Sequence, residues 1–444
     1  MRKAEQMKKA VGFSGSVPRV KANKMQKKRK QQPAGQAKTV QRVQPVRNQQ
    51  HMQRVQKPQG GSPEGKKQRG QRFYDFSLLA AVIFITAFGL IMIYSSSQYT
   101  AALRYKGDST YYFRRQLMIA GIGFVLALVV SKFDYHLLNL KWVRRAAYIG
   151  SIALLIGVMI MGVASHGQAR WIRIAGVQFQ PTEAAKVGLI IMLASMIAQR
   201  GFYINQWKYA WPCILAAIPP FLLVVQANLS SGIIIAGIAA VMLFVSCRMW
   251  WFFVAGASGA MALLLFTKPL IEKWVLANNI TTSANYQLRR VLAWAMPERF
   301  SSDAYQTLQG IYAIGSGGVT GQGLGESIQK FGKLPEAQND MIFSIVCEEL
   351  GLIGALMVIF LFIFIIWRLA VIAINAPDLF GSMLCVGILA HISLQVILNI
   401  AVVTNVIPNT GVTLPFVSYG GSAVVFTLGE IGIALSVSNR VRLE

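Results

Sequence analysis

Acidic residues are scarce in this chain: 17 Asp and Glu stand against 44 Lys and Arg over 444 residues, a formal net charge of +27. So few carboxylates, scattered along the sequence, supply no cluster for a dedicated divalent-metal cage. Histidine and cysteine number only four each, and no His/Cys group has metal-ligand spacing. Cys213, Cys247, Cys347 and Cys385 fall within or at the ends of apolar runs without paired spacing, which argues against a disulfide framework or a zinc site. They read as small apolar fillers. Charged residues of both signs make up only 14% of the chain, too few for an ordinary soluble surface.

Apolar residues, by contrast, reach 54% and come in long uninterrupted blocks, which identifies an all-α polytopic membrane protein. Helices are required because an isolated sheet would leave backbone groups unsatisfied in lipid. Ten spans are expected, at about 76–97, 116–133, 146–164, 182–199, 210–226, 229–247, 250–267, 341–367, 379–403 and 413–437. The fifth and sixth are separated only by the polar knot Gln226-Ala-Asn-Leu-Ser-Ser-Gly232. The first run is of full membrane length behind a long basic tract, so no cleavable signal is expected and insertion starts from the first helix.

Residues 1–72 hold 20 Lys or Arg against two Glu, so +18 of the net charge sits in this tail. The tail has many Gln, scattered Pro and almost no large apolar residues, and is expected to be a disordered segment preceding a membrane domain over 73–444. A polybasic segment before a first span places the N-terminus on the cytoplasmic side, near anionic lipids. Nucleic-acid binding is the rival reading, disfavoured because no aromatic residues interleave with the basic run. Ten spans return the C-terminus to the same side, which suits Asn439-Arg-Val-Arg442. The segment 98–115, with Arg104, Lys106, Arg114 and Arg115, runs against that charge rule.

This topology puts two substantial segments outside, 165–181 and the long loop 268–340 between the seventh and eighth spans. The long loop carries seven basic and six acidic residues and amphipathic stretches around Trp274 and Val291, so a small folded cap is expected. Its run Gly315-Ser-Gly-Gly-Val-Thr-Gly-Gln-Gly-Leu-Gly325 lacks a Gly-Lys-Ser/Thr ending and reads as a turn-rich segment, not a phosphate loop. Asp340 stands where this loop re-enters an apolar run. A carboxylate at a membrane rim is partly desolvated, hence basic enough to take a proton from a hydroxyl. The plainer reading is an acid placed to favour a helix N-terminus.

Glu183 and Lys186 lie one helical turn apart and can pair, as a structural ion pair or as part of a site. Arg170 and Arg173 sit just before them and suit an anion, although interfacial arginines also snorkel to head groups. Glu348 and Glu349 point about 100° apart, so at most one faces a given cavity. Acids at such depth, Glu430 included, each require a partner or a proton. Ser418-Tyr-Gly-Gly-Ser422 reads first as a packing element and second as cavity lining.

Several blocks together resemble the SEDS family (shape, elongation, division and sporulation) over nearly all of 75–440. They are Ala169-Arg-Trp-Ile-Arg-Ile-Ala-Gly-Val-Gln-Phe-Gln-Pro-Thr-Glu-Ala-Ala-Lys186, Ala313-Ile-Gly-Ser-Gly-Gly318 with Gly323-Leu-Gly325, Leu334-Pro-Glu336 with Glu348-Glu-Leu-Gly-Leu-Ile-Gly354, and Pro408-Asn-Thr-Gly-Val-Thr-Leu-Pro-Phe-Val-Ser-Tyr-Gly-Gly-Ser422. Thr413–Ser422 and Tyr94-Ser-Ser-Ser97 are more similar to the division and sporulation branch than to the elongation branch.

The resemblance implies a peptidoglycan glycosyltransferase that polymerises lipid II on the outer face of the bacterial cell membrane, releasing undecaprenyl pyrophosphate. It implies a class B penicillin-binding protein as transpeptidase partner, other division proteins around it, and a place at the septum. Asp340 matches the family's catalytic aspartate, although the family's common His-Thr before it and Phe after it are replaced by Gln338-Asn339 and Met341. Glu183, Lys186, Arg170, Arg173, Lys333, Glu336, Glu349 and Ser418 are the candidate substrate contacts. A magnesium or manganese ion riding on the diphosphate would use Asp340 or Glu336 as one ligand. A lipid II flippase and a non-catalytic division scaffold are the alternative functions. The flippase is the weaker for want of an internal repeat.

Overall fold

The first membrane helix begins at a buried charge pair. Asp75 accepts from the Leu78 backbone N–H (2.9 Å), capping α1 (Phe76–Arg104), and binds Arg368 at 2.7 Å. The computed structural model describes residues 74–441 except 162, 166–167, 175–176, 249 and 279–285. The expected basic tail lies outside the described residues.

The chain continues through α2 (Tyr111–Lys132), α3 (Lys141–Met161), α4 (Pro181–Arg200), α5 (Trp207–Ala227), α6 (Leu229–Ser246) and α7 (Trp250–Ala277). Two short helices follow, α8 (Tyr286–Ala295) and α9 (Ser301–Gly317), then α10 (Ile342–Ile374), α11 (Leu379–Val403) and α12 (Gly421–Ser438). Among the described residues nine helices are long and apolar enough to cross a membrane: α1 to α6 and α10 to α12. The seventh expected run falls on α7, which is not among the nine. The polar knot between the fifth and sixth runs is a helix cap: Asn228 accepts from Ser230 Oγ (2.6 Å) and faces the Ser231 N–H, opening α6.

A continuous apolar core is built from α1, α4, α6, α10, α11 and α12. Large apolar side chains also face outward, such as Met118 and Val125 on α2 and Ile160 on α3, which is 78% exposed. Water would penalise such faces, whereas hydrocarbon does not. Helices approach closely where side chains are small: a Cβ at Gly432 of α12 would stand 2.7 Å from the Ala127 carbonyl oxygen of α2.

Three features differ from the sequence expectation. Three strands, β1 (Val163–Ser165), β2 (Gln168–Ile174) and β3 (Val177–Phe179), pair into a small antiparallel sheet, with Ile172 opposite Phe179 and Ile174 opposite Val177. Its β-branched and aromatic residues favour pleated backbone outside the spans. The last helix starts at Gly421 instead of about 413, because Pro415 and the Gly420-Gly421 pair leave 413–420 irregular.

The third difference is a break in α10 at Gly351, whose φ of 65° and ψ of −163° interrupt the helix. The Gly-rich segment repairs the break. Gln322 and Gly323 N–H groups donate to the Glu348 and Glu349 carbonyls at 2.9 and 3.0 Å, and Leu352 and Ile353 donate to Gly318 and Val319 at 3.0 and 3.2 Å. A Cβ at Gly321 would lie 2.2 Å from the Glu349 carbonyl oxygen, so only glycine permits this approach. Roughly 23 residues after the break suffice to cross about 30 Å of hydrocarbon. The segment before it, with Asp340, therefore stands beyond that span, beside α8 and α9.

The buried acids of α10 and α12 have partners. Glu348 accepts from the Ser327 hydroxyl and from the Ile328 and Gln329 N–H groups (3.0 and 3.3 Å). Glu349 binds Lys330 at 3.0 Å and Ser95 at 2.6 Å, and Glu430 binds His391 at 2.8 Å.

A candidate active site beneath the helical cap

Where α8 and α9 cover the ends of α2, α4 and α10, a cavity of about 420 Å³ opens. The irregular segment before α12 adds Asn409, Gly411 and Tyr419 to its wall, which also includes Asn228 and Ser231 at the start of α6, Gln395 of α11 and Trp171 of β2. Among the described residues four cations line it: Arg115 of α2, Lys186 of α4 and Arg289 and Arg290 of α8. Four acids do as well: Glu183, Asp303, Glu336 and Asp340.

Asp340 is 8% exposed. Burial pushes its carboxyl up from 3.8 to about 7, and the Glu336 charge adds to the rise, while its own backbone N–H, the Arg290 charge and a Gln306 hydrogen bond hold it down. A carboxylate titrating near neutrality is suited to take up a proton from a hydroxyl. The backbone is pinned as well, because Asn399 of α11 donates to the Asp340 carbonyl (2.9 Å) and to the Val412 carbonyl (2.7 Å).

Glu183 and Lys186 pair at 2.8 Å on the first turn of α4, both almost fully buried. The contact is one of charge, since no donor is aligned on Glu183 Oε2. Lys186 thereby presents a compensated positive charge to the cavity. Arg289 stands 3.6 Å from Asp303, and Arg115 donates to the Tyr111 hydroxyl at 3.1 Å. A polyanion entering the cavity meets these cations against low-dielectric walls, where each counts for more than in water.

Of the residues expected at the substrate, the cavity brings together Asp340, Glu183, Lys186 and Glu336. Arg170 and Arg173 lie on β2, and their side chains fall outside the described ones; Trp171 between them lines the cavity. Three expected contacts do not line it. Glu349 is consumed by Lys330 and Ser95, and Ser418 donates no group to the cavity but receives the Leu414 N–H on its hydroxyl (2.7 Å). Lys333 is exposed beside it. Sequence reasoning missed Arg115, Arg289, Arg290 and Gln306. Arg115 was legible as part of the misplaced charge at 98–115, and Arg289-Arg290 as a basic pair on an amphipathic stretch; a lone Gln offered no signal.

Among the described residues no group of three or more His, Cys, Asp or Glu is arranged to hold a metal ion. Glu336 and Asp340 provide two carboxylates, which suits only a cation sharing its remaining positions with phosphate oxygens and water.

The chain has close relatives of known name. It is 36% identical to stage V sporulation protein E of Bacillus subtilis over 378 residues, covering 83% of this chain and 98% of that protein. It is 35% identical to the probable peptidoglycan glycosyltransferase FtsW of the same organism over 377 residues, covering 83% and 91%. Among solved structures it superposes on a chain of a peptidoglycan synthase complex, described for its coordination of polymerization and crosslinking, with a TM-score of 0.65 and 27% identity over 84% of this chain and 99% of that one. The rod shape determining protein RodA of Thermus thermophilus shares the fold at a TM-score of 0.59 and 24% identity, covering 84% and 98%. The profile of the FtsW/RodA/SpoVE cell cycle proteins matches residues 76–443. A polytopic membrane bundle with these relatives belongs to the FtsW/RodA/SpoVE family of cell cycle proteins.

Proposed function

We propose that the chain is a peptidoglycan glycosyltransferase that polymerises lipid II at the outer face of the cell membrane. The observation that carries this reading is Asp340, a buried carboxyl raised to about 7 in a cavity lined by four cations. Asp340 takes the proton from the 4-hydroxyl of the acceptor sugar as that oxygen attacks the anomeric carbon of the donor. The bond from the anomeric carbon to the diphosphate breaks with inversion, and the departing charge is met by Arg290, Arg115 and Lys186. A base at the hydroxyl and fixed cations at the leaving group are the two requirements of this transfer. A divalent cation carried on the diphosphate would neutralise the same charge, with Glu336 as its protein ligand and Asp340 left free as the base.

The basic residues of the tail favour a cytoplasmic N-terminus, and with α7 taken as a seventh crossing, as its apolar run 250–267 suggests, the cap of α8 and α9 falls outside. Anionic lipids are the expected ligands of that tail. A crosslinking transpeptidase of the class B penicillin-binding type is the expected partner, in keeping with a structural neighbour that belongs to a synthase complex. Division or sporulation at the septum suits the similarity to FtsW and stage V sporulation protein E. A flippase or a scaffold has no need of a neutral-range carboxyl at the rim.

The test is polymerisation of labelled lipid II by the purified complex, with the partner's transpeptidase blocked by penicillin. Glycan ladders that vanish in Asp340→Asn, while the complex still assembles, support the reading. Ladders that persist overturn the role of Asp340, and none from either protein would bring back flipping or scaffolding.

A further inference from the structure

One polar chain runs into the cavity and ends on Asp340. The Gly411 N–H donates to Asn409 Oδ1 at 3.2 Å, Asn409 Nδ2 donates to Gln306 Oε1 at 3.0 Å, and Gln306 Nε2 donates to Asp340 Oδ1 at 3.3 Å. Side-chain amides can ordinarily turn either way. Here the direction is forced from one end, because a backbone N–H only donates. Asn409 must present its oxygen to Gly411, hence its NH2 to Gln306, and Gln306 must then present its own NH2 to the carboxylate. A further contact agrees, since Gln306 Nε2 also donates to the Pro335 carbonyl at 3.4 Å.

We propose that Gln306 is a positioning residue for the glycosyl transfer, oriented by Asn409, which occupies Oδ1 of Asp340 and leaves Oδ2 to receive the proton of the acceptor hydroxyl. This rests on the reading of Asp340 as the base. Oδ2 is the oxygen turned toward Gly411, where a Cβ would stand 3.7 Å away, so glycine leaves room beside it. The chain also ties catalysis to shape: α9 carries Gln306, and the segment between α11 and α12 carries Asn409 and Gly411. Asp340 is correctly held only when these two pieces of the wall are together.

Among the described residues the charged groups that share the cavity with Asp340 are Glu336 on its own loop, Arg289 and Arg290 on α8, Asp303 on α9, Glu183 and Lys186 on α4 and Arg115 on α2. From α11 and the segment before α12 come only neutral groups, Gln395, Asn409, Gly411, Thr413 and Tyr419. Changing Gln306 to Glu keeps the volume and replaces the donor by an acceptor. The two carboxylates then share a proton, and base activity requires a higher pH.

Initial rates of lipid II polymerisation by the full chain with its transpeptidase partner, measured against pH, test this. In Gln306→Glu the rising limb should move to higher pH by roughly one unit. Gln306→Leu should lower kcat by about tenfold to a hundredfold with KM little changed. Asn409→Asp keeps the acceptor for Gly411 but reverses the Gln306 amide, and should also move the limb upward. Asn409→Leu should cost activity in the wild-type background and nothing further beside Gln306→Leu. A folded Gln306→Glu or Asn409→Asp complex with the wild-type pH profile overturns the proposal, as does additivity of the two Leu variants. Asp340→Asn, run alongside, separates the two levels: retained polymerisation there removes the base itself and this inference with it.

Discussion

Asp340 and Glu349 are nine positions apart and both buried, yet they sit in opposite surroundings. Glu349 has a lysine at 3.0 Å and a serine hydroxyl at 2.6 Å, and its neighbour Glu348 is held by two backbone N–H groups and Ser327. Asp340 has a neighbouring acid, Glu336, set against its own backbone N–H, the Arg290 charge and one side-chain amide at 3.3 Å, with no ion-pair partner in contact among the described residues. The first acid is compensated and therefore inert, fastening the cap to α1 and α10. The second is under-compensated, which costs stability and supplies basicity near neutral pH. Burial alone does not distinguish a structural acid from a reactive one; the donors around it do.

Substitution of each acid by its amide breaks the comparison most sharply. Asp340→Asn should lower polymerisation by on the order of 10²–10⁴-fold while leaving the thermal melting of the detergent-solubilised protein at or above the wild-type value. Glu349→Gln strands Lys330 in the interior and should destabilise the protein by about 3–5 kcal/mol, read as a lower melting temperature or failure to accumulate. If the effects were exchanged, with Asp340→Asn unfolding and Glu349→Gln merely slow, the division of roles would be wrong.

A smaller effect is expected at the cations. Arg290→Gln removes a charge that holds the Asp340 carboxyl down and would face the departing diphosphate. It should lower kcat/KM by about tenfold to a hundredfold and move the pH profile upward, measured as initial rates across pH.

The finest test is the pH dependence itself. A base at Asp340, as proposed, works deprotonated, so kcat/KM should be low in acid, rise through about 7 and level above it. Glu336→Gln removes the like charge and should move that rise to lower pH. Stability runs the other way. The folded carboxyl binds its proton more tightly than the unfolded one, so its contribution is complete below the unfolded value of 3.8 and is lost as pH rises through about 7. Chemical denaturation at pH 5 and pH 8 should therefore show a loss at the higher pH that Asp340→Asn abolishes.

The sequence alone determined the class of the molecule and most of its spans, since apolar runs of membrane length have one stable outcome in a solvent that cannot satisfy backbone polar groups. It also pointed to Asp340 and to the Glu183–Lys186 pair, because an acid at the end of an apolar run and opposite charges one helical turn apart are local patterns. Tertiary structure decided everything that depends on which distant groups meet. Glu349 looked as available as Asp340 until Lys330 and Ser95, 19 and 254 positions away, were brought onto it. Arg290 and Gln306 became parts of the site only when the cap folded over α10. The break at Gly351 was likewise invisible, because helix propensity is local while the carbonyls and amides that make the break affordable come from the Gly-rich segment some thirty positions earlier.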